Sequence, residues 1–241
     1  MIKVYDLKKR FGNFEAVKGI TFEVGGGEVV GLLGENGAGK TTTLRMLATM
    51  LKPTGGGANI NGYDLVSQPD KVRGEIGILF GGEVGLYDRL SARENIKYFA
   101  QLNNMQDADI DKRIDELSGM LDMGEYIDKR VGKFSRGMKQ KVAIARAIVH
   151  SPNVMLFDEP TAGLDVTSSR IIDDLIKSCR EQGKTIIFSS HSMSEVEKLC
   201  DRIVIIHRGK IAAEGTIPEL KDHFKNDNLE EVFVGLAGGE R

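Results

Sequence analysis

Only two cysteines occur in the 241 residues, and they exclude a good deal. Cys179 and Cys200 are far apart, lie in helix-like segments and form no C-x-x-C pair. They read as buried structural thiols in a reducing compartment, not as a disulfide framework. Charge of one sign is also missing: 33 Lys and Arg face 35 Asp and Glu, a net charge of −2. No broad polyanion-binding surface follows from that balance, which argues against a dedicated nucleic-acid binder. Local clusters such as Lys8-Lys9-Arg10 read as solvated surface. No apolar run approaches the roughly 18 residues of a membrane span, and Met1-Ile2-Lys3-Val4-Tyr5-Asp6 has no apolar signal region. The expected location is the cytoplasm, so any membrane must be supplied by a partner. Internal repeats, low-complexity tracts and sustained heptads are absent too.

What is present suffices for one α/β domain with a small insertion, since 41% of the residues are apolar. The stretch Gly34-Glu35-Asn36-Gly37-Ala38-Gly39-Lys40-Thr41 fits the phosphate-cradling pattern G-x-x-x-x-G-K-[ST]. Val29-Val30-Gly31-Leu32-Leu33 before it reads as a strand buried on both faces. From Thr42 to Met50, with Leu44, Leu47, Ala48 and then Leu51, the spacing is helical. The chemistry explains the residue types. Glycines at 34, 37 and 39 let the backbone approach closely and adopt φ > 0, so that successive amides point inward as an anion nest. The following helix directs its unpaired amides and positive dipole end at the same phosphates. Lys40 reaches the terminal phosphates as a point charge, Thr41 offers a hydroxyl to Mg²⁺, and Thr42 follows within the same turn.

A second half-site lies downstream. Val154-Met155-Leu156-Phe157 is followed by Asp158 and Glu159, which places two carboxylates at the carboxyl end of a buried strand, where doubly wound sheets bind ligands. Asp158 is suited to hold Mg²⁺ beside Thr41. Glu159 is suited to orient or deprotonate an attacking water.

The remaining pattern is organised around these two strands. Ile2–Leu7 and Val17–Val24 alternate as strands about a turn at Gly12-Asn13, and the three-glycine runs at 25–27 and 55–57 read as turns. Short strands near Ala58–Ile60 and Ile76–Phe80 flank a helix start at Ser67-Gln68-Pro69-Asp70. Roughly 65 residues without strand signal then contain a capping box at Ser91–Glu94 opening a helix through Leu102, a helix over Asp107–Leu121, and another over Arg136–Val149. They predict an inserted helical subdomain over residues 85–149, with the α/β core formed by 1–84 and 150–215. Later elements are a strand at Thr185–Phe188, a second capping box at Ser192–Glu195, two strands around Arg208-Gly209, and a peripheral tail from 216 to 241 with one helix.

Phe134-Ser135-Arg136-Gly137-Met138-Lys139-Gln140 resembles the LSGGQ-type signature of ATP-binding cassette (ABC) ATPases. Ala143-Ile144-Ala145-Arg146-Ala147 follows it as in that family. Pro160-Thr161-Ala162-Gly163-Leu164-Asp165 looks like the family's D-loop, and His191 looks like its switch histidine. The ATPase subunits of bacterial exporters with a separate permease are the most similar group. They share the form of Gly85-Leu86-Tyr87-Asp88-Arg89-Leu90 through Glu94-Asn95, and the Ser-x-Gly-Met-Lys-Gln signature.

This resemblance implies a RecA-like P-loop NTPase core of mostly parallel sheet flanked by helices, preceded by an N-terminal antiparallel β region and carrying the helical insertion. It further implies ATP and Mg²⁺ as ligands, ATP hydrolysis coupled to transport, and two cassettes, identical or not, meeting head to tail with ATP between them. A membrane permease in a separate chain would hold the pair on the inner face of the cell membrane. Site roles follow residue by residue. Ser135 and Gly137 would grip the γ-phosphate from across the interface. His191 would contact that phosphate and help orient the water of Glu159. Phe11 would stack on adenine, and Asp165 would organise the interface. The signature has Arg136 and Met138 where the family has Gly and Gln. The family's Q-loop glutamine is missing from Gly81-Gly82-Glu83, where Glu83 is the available substitute for contact with Mg²⁺ or water. Two other functions compete with transport: a soluble ABC ATPase acting on ribosomes or DNA, and a regulatory subunit that binds ATP without hydrolysing it.

Overall fold

A computed structural model describes residues 1–80, 85–226 and 228–238. Among them the chain forms two sheets. The first is antiparallel, in the order β2-β1-β4-β5, from β1 (Ile2–Phe11), β2 (Phe14–Val24), β4 (Gly55–Ile60) and β5 (Tyr63–Asp64). The second has the order β10-β9-β3-β8-β7-β6, from β3 (Val29–Leu33), β6 (Ile76–Leu79), β7 (Val154–Asp158), β8 (Thr185–Ser190), β9 (Arg202–His207) and β10 (Lys210–Gly215). Strands β6, β7, β8, β3 and β9 run parallel, and β10 turns back against β9. This is the expected P-loop core with an antiparallel N-terminal region.

Strands β3, β7 and β8 are buried along their whole length. Their continuous apolar runs follow from that, because helices cover both faces of a parallel sheet. The helices are α1 (Lys40–Leu47), α2 (Pro69–Glu75), α3 (Ala92–Leu102), α4 (Asp107–Met120), α5 (Arg136–Ile148), α6 (Val166–Glu181), α7 (Met193–Leu199), α8 (Ile217–Phe224) and α9 (Leu229–Gly238). Between β6 and β7 the described residues contain no named strand, only a single bridge between Ser91 and Arg130. The described residues of 85–149 hold α3, α4 and α5. Ile110, Ile114 and Leu117 of α4 are buried in one cluster with Phe157 and Phe188 of the sheet.

Four local expectations are corrected. Gly55–Gly57 is not a turn but the start of β4, paired with Tyr5 and Lys8 of β1. Glycine is needed there because a Cβ on Gly56 would lie 2.0 Å from the Asp6 carbonyl oxygen, at a bulge where Asp6 has φ 44. Helix α1 ends at Leu47, short of Met50, and Thr49 turns left-handed with φ 60. The tail holds two helices instead of one, and a complete capping box at Thr216 and Glu219 starts α8. Leu220, Leu229 and Val232 from these helices are buried in the main apolar cluster. The box expected at Ser192–Glu195 is only half formed: the Ser192 hydroxyl accepts from the Glu195 amide, and the Glu195 carboxylate goes elsewhere.

Cys179 and Cys200 are free thiols, and burial raises the pKa of each. That fits inert packing groups. Residues 81–84, including Glu83 and the rest of the Gly81–Glu83 stretch, lie outside the described residues.

Candidate active site

The carboxyl ends of β3, β8 and β7 are neighbours in the sheet, and each delivers one part of the site. From β3 the chain enters the loop 34–39. Gly37 and Gly39 have φ 82 and 116, left-handed values that glycine adopts at little cost. Gly34 serves differently: its φ is ordinary, but a Cβ there would lie 2.3 Å from the Ile206 carbonyl oxygen of β9. The loop is braced from outside as well. The Gly209 amide donates to Ala38 O at 2.9 Å, and the Lys18 amide donates to Gly209 O at 2.8 Å. The turn of the β9–β10 hairpin thus holds the cradle against β2.

Lys40 is the first residue of α1 and only 5% exposed. Its ammonium donates to Gly34 O at 2.5 Å and Glu35 O at 3.1 Å, so the side chain curls back over its own loop. Desolvation lowers its pKa, against the opposing pull of Glu159, Asp158 and Glu35. A buried cation held by neutral carbonyls has an unmet demand for negative charge, which a phosphate would supply.

Asp158 ends β7 and is 5% exposed. Its carboxylate accepts from Thr41 Oγ1 at 3.0 and 2.9 Å and from Ser189 Oγ at 2.6 Å. A hydroxyl and one carboxylate side by side are the all-oxygen donors Mg²⁺ uses when phosphates and water complete its shell. Among the described residues no group of three His, Cys, Asp or Glu side chains could hold a metal alone. The fit is to a metal brought in with a phosphate.

Glu159 follows with φ 49, an uncommon conformation for a residue with a side chain. It is held there by its amide, which donates to Ser189 O at 3.2 Å and Ser189 Oγ at 3.0 Å. His191, just past β8, places Nδ1 3.5 Å from Glu159 Oε1. Glu159 also lines a cavity of about 220 Å³ together with Phe11, Glu35, Asn36, Gly37, Gly39, Lys40, Thr41 and Thr42. Of the residues singled out from the sequence, Phe11, Glu35, Asn36, Gly37, Gly39, Lys40, Thr41, Thr42 and Glu159 line this one cavity, whereas Gly34 and Ala38 do not. Asp158 joins through Thr41 and His191 through Glu159, from the neighbouring cavity.

Phe11 is 47% exposed at the cavity's rim, with Lys9 Nζ 5.1 Å from its ring centroid. Phe14, 64% exposed and paired with Phe11 across the Gly12-Asn13 turn, lines the same cavity. Sequence reading missed it. The signal was its position, directly opposite Phe11 in the tight hairpin.

Ser135 and Gly137 are not part of this cavity. Ser135 is exposed and caps α5 by accepting from the Met138 amide at 3.2 Å. The start of this 13-residue helix is thus exposed. Arg136 lies against Gly163, and Asp165 caps α6 through the Ser168 amide at 2.8 Å.

The sequence model of the ABC transporter family matches residues 17–162, more than half of the chain. The chain belongs to the ABC transporter family. It is 47% identical over 238 residues to the ABC transporter ATP-binding protein NatA of Bacillus subtilis, covering 97% of each chain. It is 40% identical to the bacitracin transport ATP-binding protein BcrA of Bacillus licheniformis, covering 98% of this chain and 75% of the relative. Among solved structures, an ATP-binding subunit of an ABC transporter superposes with a TM-score of 0.91 at 30% identity, covering 98% of this chain and 99% of that one. An ATP-binding cassette dimer in a post-hydrolysis state with ADP and Pi superposes with a TM-score of 0.82 at 27% identity, over 90% and 98% of the two chains. The protein is an ATP-binding, ATP-hydrolysing cassette of this family.

Proposed function

We propose that this cassette hydrolyses MgATP within a dimer and passes the resulting motion to a membrane permease made by a separate chain, driving export. The observation that carries the reading is the meeting of Lys40, Thr41, Asp158, Glu159 and His191 at the carboxyl ends of β3, β7 and β8. The P-loop amides, Gly34 to Thr42, and Lys40 hold the β- and γ-phosphates. Phe11, with Phe14 beside it, offers an aromatic face to the base. Thr41 and Asp158 would hold Mg²⁺, which would neutralise charge on the phosphate oxygens. Glu159 accepts a proton from water as the water oxygen attacks the γ-phosphorus in line. The bond from phosphorus to the bridging oxygen breaks, and ADP leaves with the electron pair. His191, touching Glu159, keeps that carboxylate turned toward the water.

Ser135 and Gly137 act in trans, on the nucleotide held by the partner's P-loop, and Asp165 shapes the contact between the two cassettes. The exposure of the α5 start supports this assignment, as does the family's dimeric relative. Residues 1–84 and 150–215 form the catalytic unit, and 85–149 the unit that moves with the signature. Among the described residues no helix is long and apolar enough to cross a membrane, and the ABC transporter relatives support a separate permease chain as the source of the spans. The names of relatives include bacitracin transport and daunorubicin/doxorubicin resistance, which support export. The working place is then the cytoplasmic face of the membrane.

Purifying a tagged chain from detergent-solubilised membranes tests the coupling. The expected result is co-purification, resistant to high salt, of an integral protein with several membrane spans. Recovery with ribosomes or DNA instead, lost as salt rises, would contradict it.

A further inference from the structure

Glu195 has no part in the reaction as derived, yet its carboxylate is committed on both oxygens. It stands in the first turn of α7, where a capping box would turn it back to the Ser192 amide. Instead Oε1 accepts from the Thr161 hydroxyl, and Oε2 accepts from the Ser190 hydroxyl at 2.5 Å. The Ser192 amide goes to Ser190 Oγ at 2.9 Å. Thr161 is two residues after Glu159, and Ser190 immediately precedes His191. One carboxylate therefore bridges the two segments that carry the 3.5 Å Glu159–His191 pair. All five side chains line one cavity of about 170 Å³.

The segment following β7 is tied on its other side to the signature helix. Gln140 Nε2 donates to Pro160 O at 2.8 Å. One turn earlier on α5, Arg136 lies so close to Gly163 that an added Cβ would be 2.6 Å from Nη1. Glu159 itself sits at φ 49, a conformation that persists only where surrounding contacts enforce it.

We propose that Glu195 is a positioning residue for hydrolysis: by holding Thr161 and Ser190 together it fixes how Glu159 and His191 face the water. This rests on the reading of those two as the groups acting on the water. Two hydroxyls donating to one carboxylate form strong, directional bonds, so the bridge resists shear between the two segments. Removing it leaves the phosphate cradle untouched, because none of its members lines the P-loop cavity. The effect belongs to kcat, not to nucleotide binding.

Steady-state phosphate release by the full chain tests this. In Glu195→Ala, kcat falls by about tenfold to a hundredfold, the scale of a misplaced catalytic group, while KM for MgATP stays within about twofold. Thr161→Val, close to isosteric, shows a similar loss at an unchanged thermal midpoint. The double variant loses no more than the worse single variant, because both remove one bridge. Glu195→Gln, which keeps one accepting oxygen, recovers part of the rate. A wild-type kcat in Glu195→Ala, a rise in KM alone, or losses that multiply in the double variant would overturn the role. Should Glu195→Ala not fold, Thr161→Val decides by the same criterion. Glu159→Gln assayed alongside separates the two ideas: turnover by that variant removes the underlying reading, whereas an inactive Glu159→Gln beside a fully active Glu195→Ala removes only the bridge.

Discussion

Glu159→Gln will bind MgATP as the unaltered protein does, while its steady-state phosphate release falls by about 10²- to 10⁴-fold, the usual contribution of a positioned general base. Glutamine fills the same volume but has no basic oxygen to take the water's proton. The backbone that places it is unaffected, since the Glu159 amide donates to Ser189 O and Oγ through main-chain N–H, which the substitution keeps. The His191 contact at 3.5 Å also survives in a neutral form. Nucleotide affinity, measured with a fluorescent ATP analogue, and phosphate release, measured in the same preparation, give both halves of the result. Rapid hydrolysis would take Glu159 out of the role.

Lys40→Ala has the opposite signature. Here affinity for MgATP falls by at least about tenfold, because a charge-assisted bond to phosphate contributes about 1.5–3 kcal/mol and each 1.4 kcal/mol is roughly a factor of ten. Desolvation holds the Lys40 pKa below its ordinary value, and the negative charge of a bound triphosphate would raise it again. The sign of the pH dependence comes from that shift. Below the pKa of the free protein, Lys40 is already charged and binding needs no proton. As pH rises through that value the complex must take up a proton, so affinity falls. Lys40→Ala flattens this alkaline limb. Calorimetric titration with MgATP across the alkaline range reads both effects, and a Lys40→Ala protein with unchanged affinity would contradict the cradle.

Much of this site was legible because its residue types are forced. Continuous apolar runs at Val29–Leu33 and Val154–Phe157 required strands buried on both faces, and the residues just past the carboxyl ends of such strands face the crevice of a doubly wound sheet. Gly39, Lys40 and Asp158 had little freedom to be anything else. What escaped was set by tertiary contact. Gly55–Gly57 looked like a turn because glycine usually marks one, whereas here it lets β4 pass within contact of the Asp6 bulge. Glu195 matched a capping box in sequence, and only the approach of Thr161 and Ser190 drew its carboxylate away. Phe14 was passed over, since only the folded chain brings the hairpin tip to the cavity lined by the phosphate loop. Helix α9 is apolar at six of its ten positions, and Leu229 and Val232 from it, with Leu220 from α8, find the core across the chain.

The account depends on a nucleotide gripped by two chains at once, one through its P-loop and the other through the start of α5. Sedimentation equilibrium of Glu159→Gln with and without MgATP tests that most directly, compared with the same protein carrying Ser135→Arg. MgATP should convert the 26.4 kDa chain to a species of twice that mass, and the added Ser135→Arg should keep it monomeric with MgATP still bound. A nucleotide-induced dimer that forms equally well with Ser135→Arg, or no dimer at saturating MgATP, would contradict it.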